Sequence, residues 1–524
     1  MHQRRRVLIV NCHFDEIRLP VRRKLRIPQA MTPAYLAGLF SSRLCDIMLY
    51  DEIYSGPLED ETVLSFPDMV VLTGLNTAFD RMLHITAYVR TKAPGAVVVA
   101  GGSAIRAIPG HAANFFDYCC TGDIEQLADV IHDVFGAAYV SELYRESGWV
   151  VPRYDLTYWM KLLGYVESSR NCYFRCNFCS LTAEQVRYQT YAVDYLKQQF
   201  TALGRRGYVH FLDNNFASRD PKFMADRFDL LGQLYEKGAF HNWTAEVTSD
   251  FFLKKENIER AAETGCGALF CGVESFDLDT LVNFRKHQNT VLPQIDMIRR
   301  CLEAGIAFHY GLVFDMTTRR ISELERELSF ILDTPEITLP AYVTLAIPML
   351  NSPYFHDCLE RGLFFPNTRL RDMDGATLFL KPLDPLPETV RFIKDSQSLK
   401  GYRRRAFAHT ARFYGRYRHL LSGMTMTSNL FDSLLLCAPT LSTLSDPGTI
   451  LKIVSNGSRR TYIGPTESLD GVYRPAFTID SRYRHYFKPT MVTDATGLLS
   501  PELHDDLASP QAPYADLSRA AEAG

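Results

Sequence analysis

Three cysteines fall close together in Cys172-Tyr-Phe-Arg-Cys176-Asn-Phe-Cys179. Three residues and then two separate them, so one short loop can turn three sulfurs toward a common centre. Iron–sulfur clusters are held by cysteine thiolates, normally four of them. A loop offering three leaves one iron open to a small-molecule ligand. Structural zinc is the other chemistry that clustered cysteines serve. It asks for four ligands and commonly for paired knuckles. No second Cys-x-x-Cys or His pair accompanies this loop.

The bulk properties exclude several classes. The 524 residues are long enough for several domains, and 46% hydrophobic with 22% charged residues is ordinary for a globular protein. A net charge of −3 gives no electrostatic case for a nucleic-acid partner. Met1-His-Gln-Arg-Arg-Arg6 runs straight into the strand-like Val7–Val10 without an apolar leader. This predicts a cytoplasmic protein whose twelve cysteines are free or metal-bound. No apolar run approaches the ~20 residues of a membrane span; Leu434–Leu444 is too short and contains Pro439.

The elements around the loop fall into two α/β series. Before it, Val7–Val10, Cys45–Tyr50, Met69–Leu72, Ala96–Ala100 and Phe116–Cys120 read as buried parallel strands. Helical patterns such as Ala34–Arg43 and Phe79–Lys92 lie between them. This predicts a Rossmann-like doubly wound sheet over residues 1–150, with ligands outside the carboxyl ends of its strands. The turns there are Thr73-Gly74-Leu-Asn76, Gly101-Gly102-Ser103 and Gly122-Asp-Ile-Glu125. Pro152–Asp155 reads as a linker. After it, strands are predicted at Gly164–Ser169, Tyr208–Leu212, Asn242–Val247, Ala268–Val273, Ala307–Phe314 and Ala341–Ile347. Helices are predicted between them at Val193–Leu203, Pro221–Tyr235, Leu281–Ala304 and Ser322–Leu332. Six strand–helix units predict a partial (β/α)6 barrel over residues 151–390, whose chemistry sits at the carboxyl ends of its strands. Asp213, Asn215, Glu246, Glu274, Ser275 and Asp315 stand there. Residues of these types also cap helices.

With Phe178 just ahead of its last cysteine, the loop resembles the cluster loop of the radical S-adenosylmethionine (radical SAM) superfamily. The resemblance runs over residues 60–385 and implies a [4Fe–4S] cluster on Cys172, Cys176 and Cys179, with S-adenosylmethionine (SAM) on the open iron. It places Phe178, Asp213, Asn215, Glu246, Glu274 and Ser275 around SAM. Gly272-Val-Glu-Ser275 and Lys286-His-Gln-Asn289 are similar to signatures that follow in that family. The Gly101-Gly102 and Gly122-x-x-Glu125 turns resemble the cobalamin-binding domain that precedes the barrel in one subclass. This implies cobalamin contacts at Thr73, Gly74, Asn76, Gly101, Gly102, Ser103, Gly122 and Glu125. The same turns suit a generic flavodoxin-like domain, and the Asp-x-His-x-x-Gly motif of other cobalamin proteins is absent; neither His13 nor His111 has its context. Two further departures are Asn171 where the family carries Gly, and Pro348-Met-Leu-Asn-Ser-Pro353 after the sixth strand. Both fit turns in which Asn takes the left-handed conformation.

The resemblance therefore implies a cobalamin-dependent radical SAM enzyme acting on a small-molecule or natural-product substrate. Transfer of a methyl group from methylcobalamin to an unactivated carbon is its leading reaction; oxidative cyclisation or rearrangement, with or without cobalamin, is the alternative. It also implies a reducing partner such as flavodoxin or ferredoxin. Cys266, Cys271 and Cys301 read as small core residues, and Cys119 and Cys120 as packed on the fifth strand. Beyond the barrel, residues 391–504 are expected to form a smaller α+β substrate-capping region, with a disordered tail at 505–524. Its basic, aromatic stretch Arg391–Arg418 reads as a solvated helix face in preference to an anion-binding surface. Asn429–Ala438 reads as helical, and Ile450–Val492 as strands with turns at Asn456-Gly457, Gly464-Pro465 and Asp470-Gly471.

Overall fold

The computed structural model describes residues 3–14, 30–160, 163–366, 368–375, 377–397, 402–419 and 473–497. The expected helix at 429–438, the turns at 456–471 and the tail at 505–524 lie outside them.

The first series forms a five-stranded parallel sheet in the order β2-β1-β3-β4-β5. Its strands are β1 (Arg5–Asn11), β2 (Cys45–Asp51), β3 (Met69–Gly74), β4 (Val97–Gly102) and β5 (Tyr118–Cys120). Val7–Val10 are fully buried because helices cover both faces of the sheet. The strand order reverses between β1 and β3, which opens a crevice at their carboxyl ends. Helix α1 (Phe79–Lys92) is buried on nearly every side, although only one side can face the sheet. Its outer side is covered by the segment 473–497. The Tyr88 hydroxyl accepts from the Ala476 amide at 2.9 Å, and the Asp80 carboxylate accepts from the Thr490 amide at 3.1 Å.

The second series forms a six-stranded parallel sheet in sequential order, the partial barrel. Its strands are β6 (Leu163–Val166), β9 (Tyr208–Phe211), β10 (Asn242–Val247), β11 (Cys266–Glu274), β12 (Ala307–Phe314) and β13 (Tyr342–Leu345). The short β7 (Ser169–Arg170) and β8 (Gln189–Thr190) pair antiparallel and pinch the base of the cysteine loop. Pro152–Asp155 is packed against the barrel: Tyr154 is buried and its hydroxyl donates to the Tyr165 carbonyl at 2.7 Å.

Four expectations need correction. The strand predicted over Gly164–Ser169 ends at Val166, because Ser168 turns its amide and hydroxyl onto Asp213. The helix predicted over Leu281–Ala304 is three pieces, Leu278–Asn283, His287–Thr290 and Gln294–Glu303. Arg285 at φ +52° and Pro293 break it. In the described part of Ile450–Val492 the chain forms a 3-10 run, Ser481–Phe487, and a single bridge from Met491 to Arg369. The basic helix α2 (Arg403–Tyr417) is not simply solvated. Arg412 donates to the Leu332 carbonyl at 2.9 Å and Arg405 pairs with Asp333, which caps the carboxyl end of helix Ile321–Asp333.

Candidate active site

The loop between β7 and β8 carries the three cysteines. Asn171 enters it at φ +66°, and Asn351 turns at φ +62° after the sixth strand, as the left-handed Asn reading expects. Cys176 is buried and Cys172 and Cys179 are half-buried. The thiols lie within electrostatic reach of one another: burial pushes Cys172 up to about 11, and the other two thiols add to the rise. Burial also raises Cys179, while Lys286 lowers it. Gln288 donates to the Cys176 sulfur at 3.5 Å. Among the described residues, no three His, Cys, Asp or Glu side chains form a site for a single metal ion. The three sulfurs, one buried and two half-buried, share one loop with Lys286 nearby; as thiolates they would suit a polynuclear group that brings its own positive charge.

The broken helix explains how the Lys-x-Gln-Asn segment works. Lys286 is buried and donates to Glu274 at 2.5 Å. Asn289 donates to the carbonyls of Gly272 and Val273 at 2.8 and 3.1 Å, and accepts from Ser249. These contacts hold the end of β11, where the ladder shifts register and Glu274 takes φ +62°. Gly272 leaves room for the pair, since a Cβ there would stand 2.7 Å from the Lys286 ammonium. Lys286 and Gln288 contact the site directly, and no local signal beyond the motif itself could have assigned them those partners.

The other strand-end residues divide into two kinds. Asp213 is fully buried and accepts from Ser168 N at 2.8 Å, and from the Ser168 and Ser169 hydroxyls at 2.6 Å each; Arg227 stands 3.3 Å away. Its oxygens are engaged inside the protein. Ser275 is likewise buried, donating to Glu327 at 2.6 Å. Asp315 caps its own turn through Thr317 and Thr318. Phe178 packs tilted against Phe284, their centroids 4.9 Å apart. By contrast, Asn215 accepts from Ala217 N and Thr248 N, which fixes the amide's orientation and leaves its buried Nδ2 without a partner. The Glu246 carboxylate has no hydrogen-bond partner among the described residues. Water reaches its carboxylate, yet protein encloses it, as for a group facing the hollow of the barrel; burial and then Glu274 raise its pKa. Tyr173 in the cysteine loop donates to Asp250, a partner that sequence order did not suggest.

At the switch point of the first sheet lies a cavity of about 310 Å³. Thr73, Gly74, Gly101, Gly102, Ser103 and Gly122 line it, as the turns predicted. Asn76 and Glu125 do not. Asn76 is buried in the turn after β3 with its Oδ1 unpartnered, and Glu125 pairs with Arg170 at 2.9 Å. Thr32, Leu36 and Arg106 complete the lining, drawn from segments without a turn motif. The glycines serve different ends. A Cβ on Gly102, at φ +106°, would stand 2.6 Å from the Gly74 carbonyl, so the sheet itself requires that glycine. At Gly101 a Cβ would meet only ordinary contact at 3.6 Å, so that glycine leaves space in the cavity. Leu75, on the lining, is 72% exposed, an apolar surface that a ligand would cover.

Comparisons with known proteins agree with this arrangement. Residues 166–326 match the radical SAM superfamily. The chain is 25% identical over 303 residues to a hopanoid C-2 methylase of Rhodopseudomonas palustris, covering 54% of this chain and 55% of that one. It is 24% identical over 204 residues to a bacteriochlorophyllide d C-12(1)-methyltransferase of Chlorobaculum tepidum, covering 38% and 43%. The chain thus spans about half the length of the curated relatives it matches. Among solved structures it is similar to the cobalamin-dependent SAM radical enzyme OxsB with aqua-cobalamin and SAM bound. That match has a TM-score of 0.57 at 15% identity and covers 99% of this chain and 83% of the other. The radical SAM methyltransferase TsrM of Kitasatospora setae matches with a TM-score of 0.50 at 14% identity, over 87% of this chain and all of that one. Residues 166–326 thus match the radical SAM superfamily, and the chain, with its three-cysteine loop set in a six-stranded partial barrel behind a flavodoxin-like sheet, shares the fold of OxsB.

Proposed function

We propose that this protein is a cobalamin-dependent radical SAM methyltransferase acting on an unactivated carbon of a small molecule. The observation that carries the reading is the adjacency of the two sites. Arg106 lines the first-domain cavity and bonds Glu184, in the short helix that begins directly after Cys179. Two methyltransferases among its relatives support the reaction type.

When bound, a [4Fe–4S] cluster with SAM supplies a carbon-centred radical and methylcobalamin supplies a methyl group. Cys172, Cys176 and Cys179 would hold the cluster, with Gln288 donating to the Cys176 sulfur and tempering its charge. The unpartnered amide of Asn215 and carboxylate of Glu246 are free to bind the polar groups of SAM; Glu274 orients the end of β11 through Lys286. The cavity around Gly101 would receive part of cobalamin, and at about 310 Å³ it leaves the bulk of that cofactor outside. Phe178, Phe284 and Tyr354 pack in sequence, tilted and then edge to face, and would shield this region from water. A low-potential flavodoxin or ferredoxin would supply electrons, and the domain boundaries at 150, 390 and 504 would separate cobalamin, radical and capping functions.

The test is anaerobic reconstitution with iron, sulfide and hydroxocobalamin. Four irons and one cobalamin per chain are expected, with 5′-deoxyadenosine formed from SAM on reduction. Cys176→Ala should lose the iron and all SAM cleavage while keeping cobalamin. Iron retained by that variant, or no cobalamin on the wild-type protein, would overturn the reading.

A further inference from the structure

Two arginines bridge the rim of the first-domain cavity to the two ends of the cysteine loop. Arg106 lines the cavity. Its guanidinium donates to the Gly122 carbonyl at 2.8 Å and to Asp123 at 3.2 Å, both on the rim, and on its other side to Glu184 beyond Cys179. Arg170 lies two residues ahead of Cys172. It pairs with Glu125 on the same rim at 2.9 Å and with Glu167 at 2.7 Å, and stands 3.8 Å from Asp123. Gly122–Glu125 therefore touches both flanks of the loop through a planar fork on each side. A lysine could not span either pair of partners at once.

The charges make these bridges obligatory. Two guanidiniums face four carboxylates, Asp123, Glu125, Glu167 and Glu184, in a half-buried junction. Desolvation raises the pKa of both Glu167 and Glu184, and the arginines oppose that rise. Without one arginine, the carboxylates it holds repel one another and the rim separates from the loop. Residues 122–124 also line the cavity. A ligand that fills the cavity presses on the same four-residue segment that holds the arginines.

We infer that Arg106 and Arg170 are positioning residues that couple occupancy of the first-domain cavity to the placement of the cysteine loop. The inference rests on the proposed two-cofactor reading, and it says more: the cofactors are not merely neighbours, since binding one stabilises the arrangement that binds the other. Such coupling is reciprocal, so hydroxocobalamin must tighten SAM by the same factor as SAM tightens hydroxocobalamin.

The experiment measures SAM affinity by equilibrium dialysis on anaerobically reconstituted protein, with and without hydroxocobalamin. The electron paramagnetic resonance spectrum of the reduced cluster, recorded in parallel, reads the loop directly. In the wild-type protein the affinity ratio should be at least about fivefold, the lower end of ordinary allosteric coupling. In Arg106→Met, whose side chain also lines the cavity, it should fall to within about twofold of unity with iron content retained. Glu184→Gln, which removes charge from a carboxylate-rich junction and leaves the fold its packing, should do the same. The double variant should be no worse than either single one, because both break one bridge. A wild-type ratio near unity overturns the inference and leaves the functional reading standing, as does an unchanged ratio in Glu184→Gln. A wild-type protein that binds no cobalamin overturns both.

Discussion

Asp213→Asn should cost stability and spare SAM. The wild-type carboxylate is fully buried, as is Arg227, and it collects one amide, two hydroxyls and a guanidinium edge. Asn keeps the volume and removes the charge. Its amide would point a donor at Arg227, which has no acceptor to offer. The guanidinium keeps the Phe216 carbonyl and lies 3.4 Å from that ring's centre, but loses its counter-charge. Burial lowers Arg227 to about 10 even with Asp213 opposing the fall, and Asn removes that opposition. Breaking one side of a buried pair costs about 3–5 kcal/mol. At about 2–4 °C per kcal/mol for a unit of barrel size, that is a fall of roughly 6–20 °C in the barrel transition. Trp243 reports it, being fully buried with its ring stacked 5.0 Å from Phe216, so urea unfolding followed by tryptophan fluorescence is the assay. Adding Arg227→Met should recover part of the loss, since the orphaned charge goes with it. A variant within about 1 kcal/mol of wild type whose SAM affinity drops tenfold would refute the reasoning and make Asp213 a ligand contact.

Three further outcomes are expected. Gly102→Ala should lose about 1–3 kcal/mol to left-handed strain and to the Gly74 carbonyl; Gly101→Ala should unfold like wild type and instead weaken hydroxocobalamin, which thermal melts beside a spectral titration would separate. His210 is buried beside Thr244 and burial lowers it to about 4, below its value near 6.5 in the unfolded chain, so its contribution is complete above pH ~6.5 and is lost at up to about 1.4 kcal/mol per unit as pH falls toward 4. Urea midpoints at pH 7 and 5.5 should differ less in His210→Gln than in wild type. Glu246→Gln should leave stability unchanged or slightly higher, because it removes a repulsion with Glu274, while weakening SAM by roughly tenfold, the worth of about 1.4 kcal/mol in one polar contact; unchanged SAM affinity by dialysis would remove Glu246 from the site.

Most of the fold was legible because its strands are short apolar runs ended by turn residues, and β10 and β12 fall on their predicted bounds. Helix Val193–Leu203 does so too, starting after Ala192 and stopping at Gly204, which takes φ +67°. Two of the errors share one cause. Between Leu281 and Ala304 the helical periodicity is real on both sides of the break, but Lys286 must reach Glu274 and Gln288 must reach Cys176, and a continuous helix would not bring both there. Ser168 leaves its strand for the same reason, to reach a carboxylate forty-five residues on. Tertiary partners of that kind leave no trace in local pattern.

The sequence places the candidate residues at the strand ends and does not separate their structural tasks. Six polar strand-end positions look equivalent in sequence: Asp213, Asn215, Glu246, Glu274, Ser275 and Asp315. A buried polar atom must find a partner, and each partner found inside the protein is one fewer offered to a ligand. Asp213, Ser275 and Asp315 spend their atoms on serines, a glutamate and their own turns. Glu274 spends one oxygen on Lys286. What remains is one amide nitrogen at Asn215, the carboxylate of Glu246 and the second oxygen of Glu274; the first two are joined where the Phe216 amide donates to the Glu246 carbonyl at 2.8 Å. The same subtraction works in the first domain, where Gly102 is needed by the sheet and Gly101 is not. In both domains the motif marks the neighbourhood, and the groups left without internal work are the ones that SAM and hydroxocobalamin titrations of Glu246→Gln and Gly101→Ala would test.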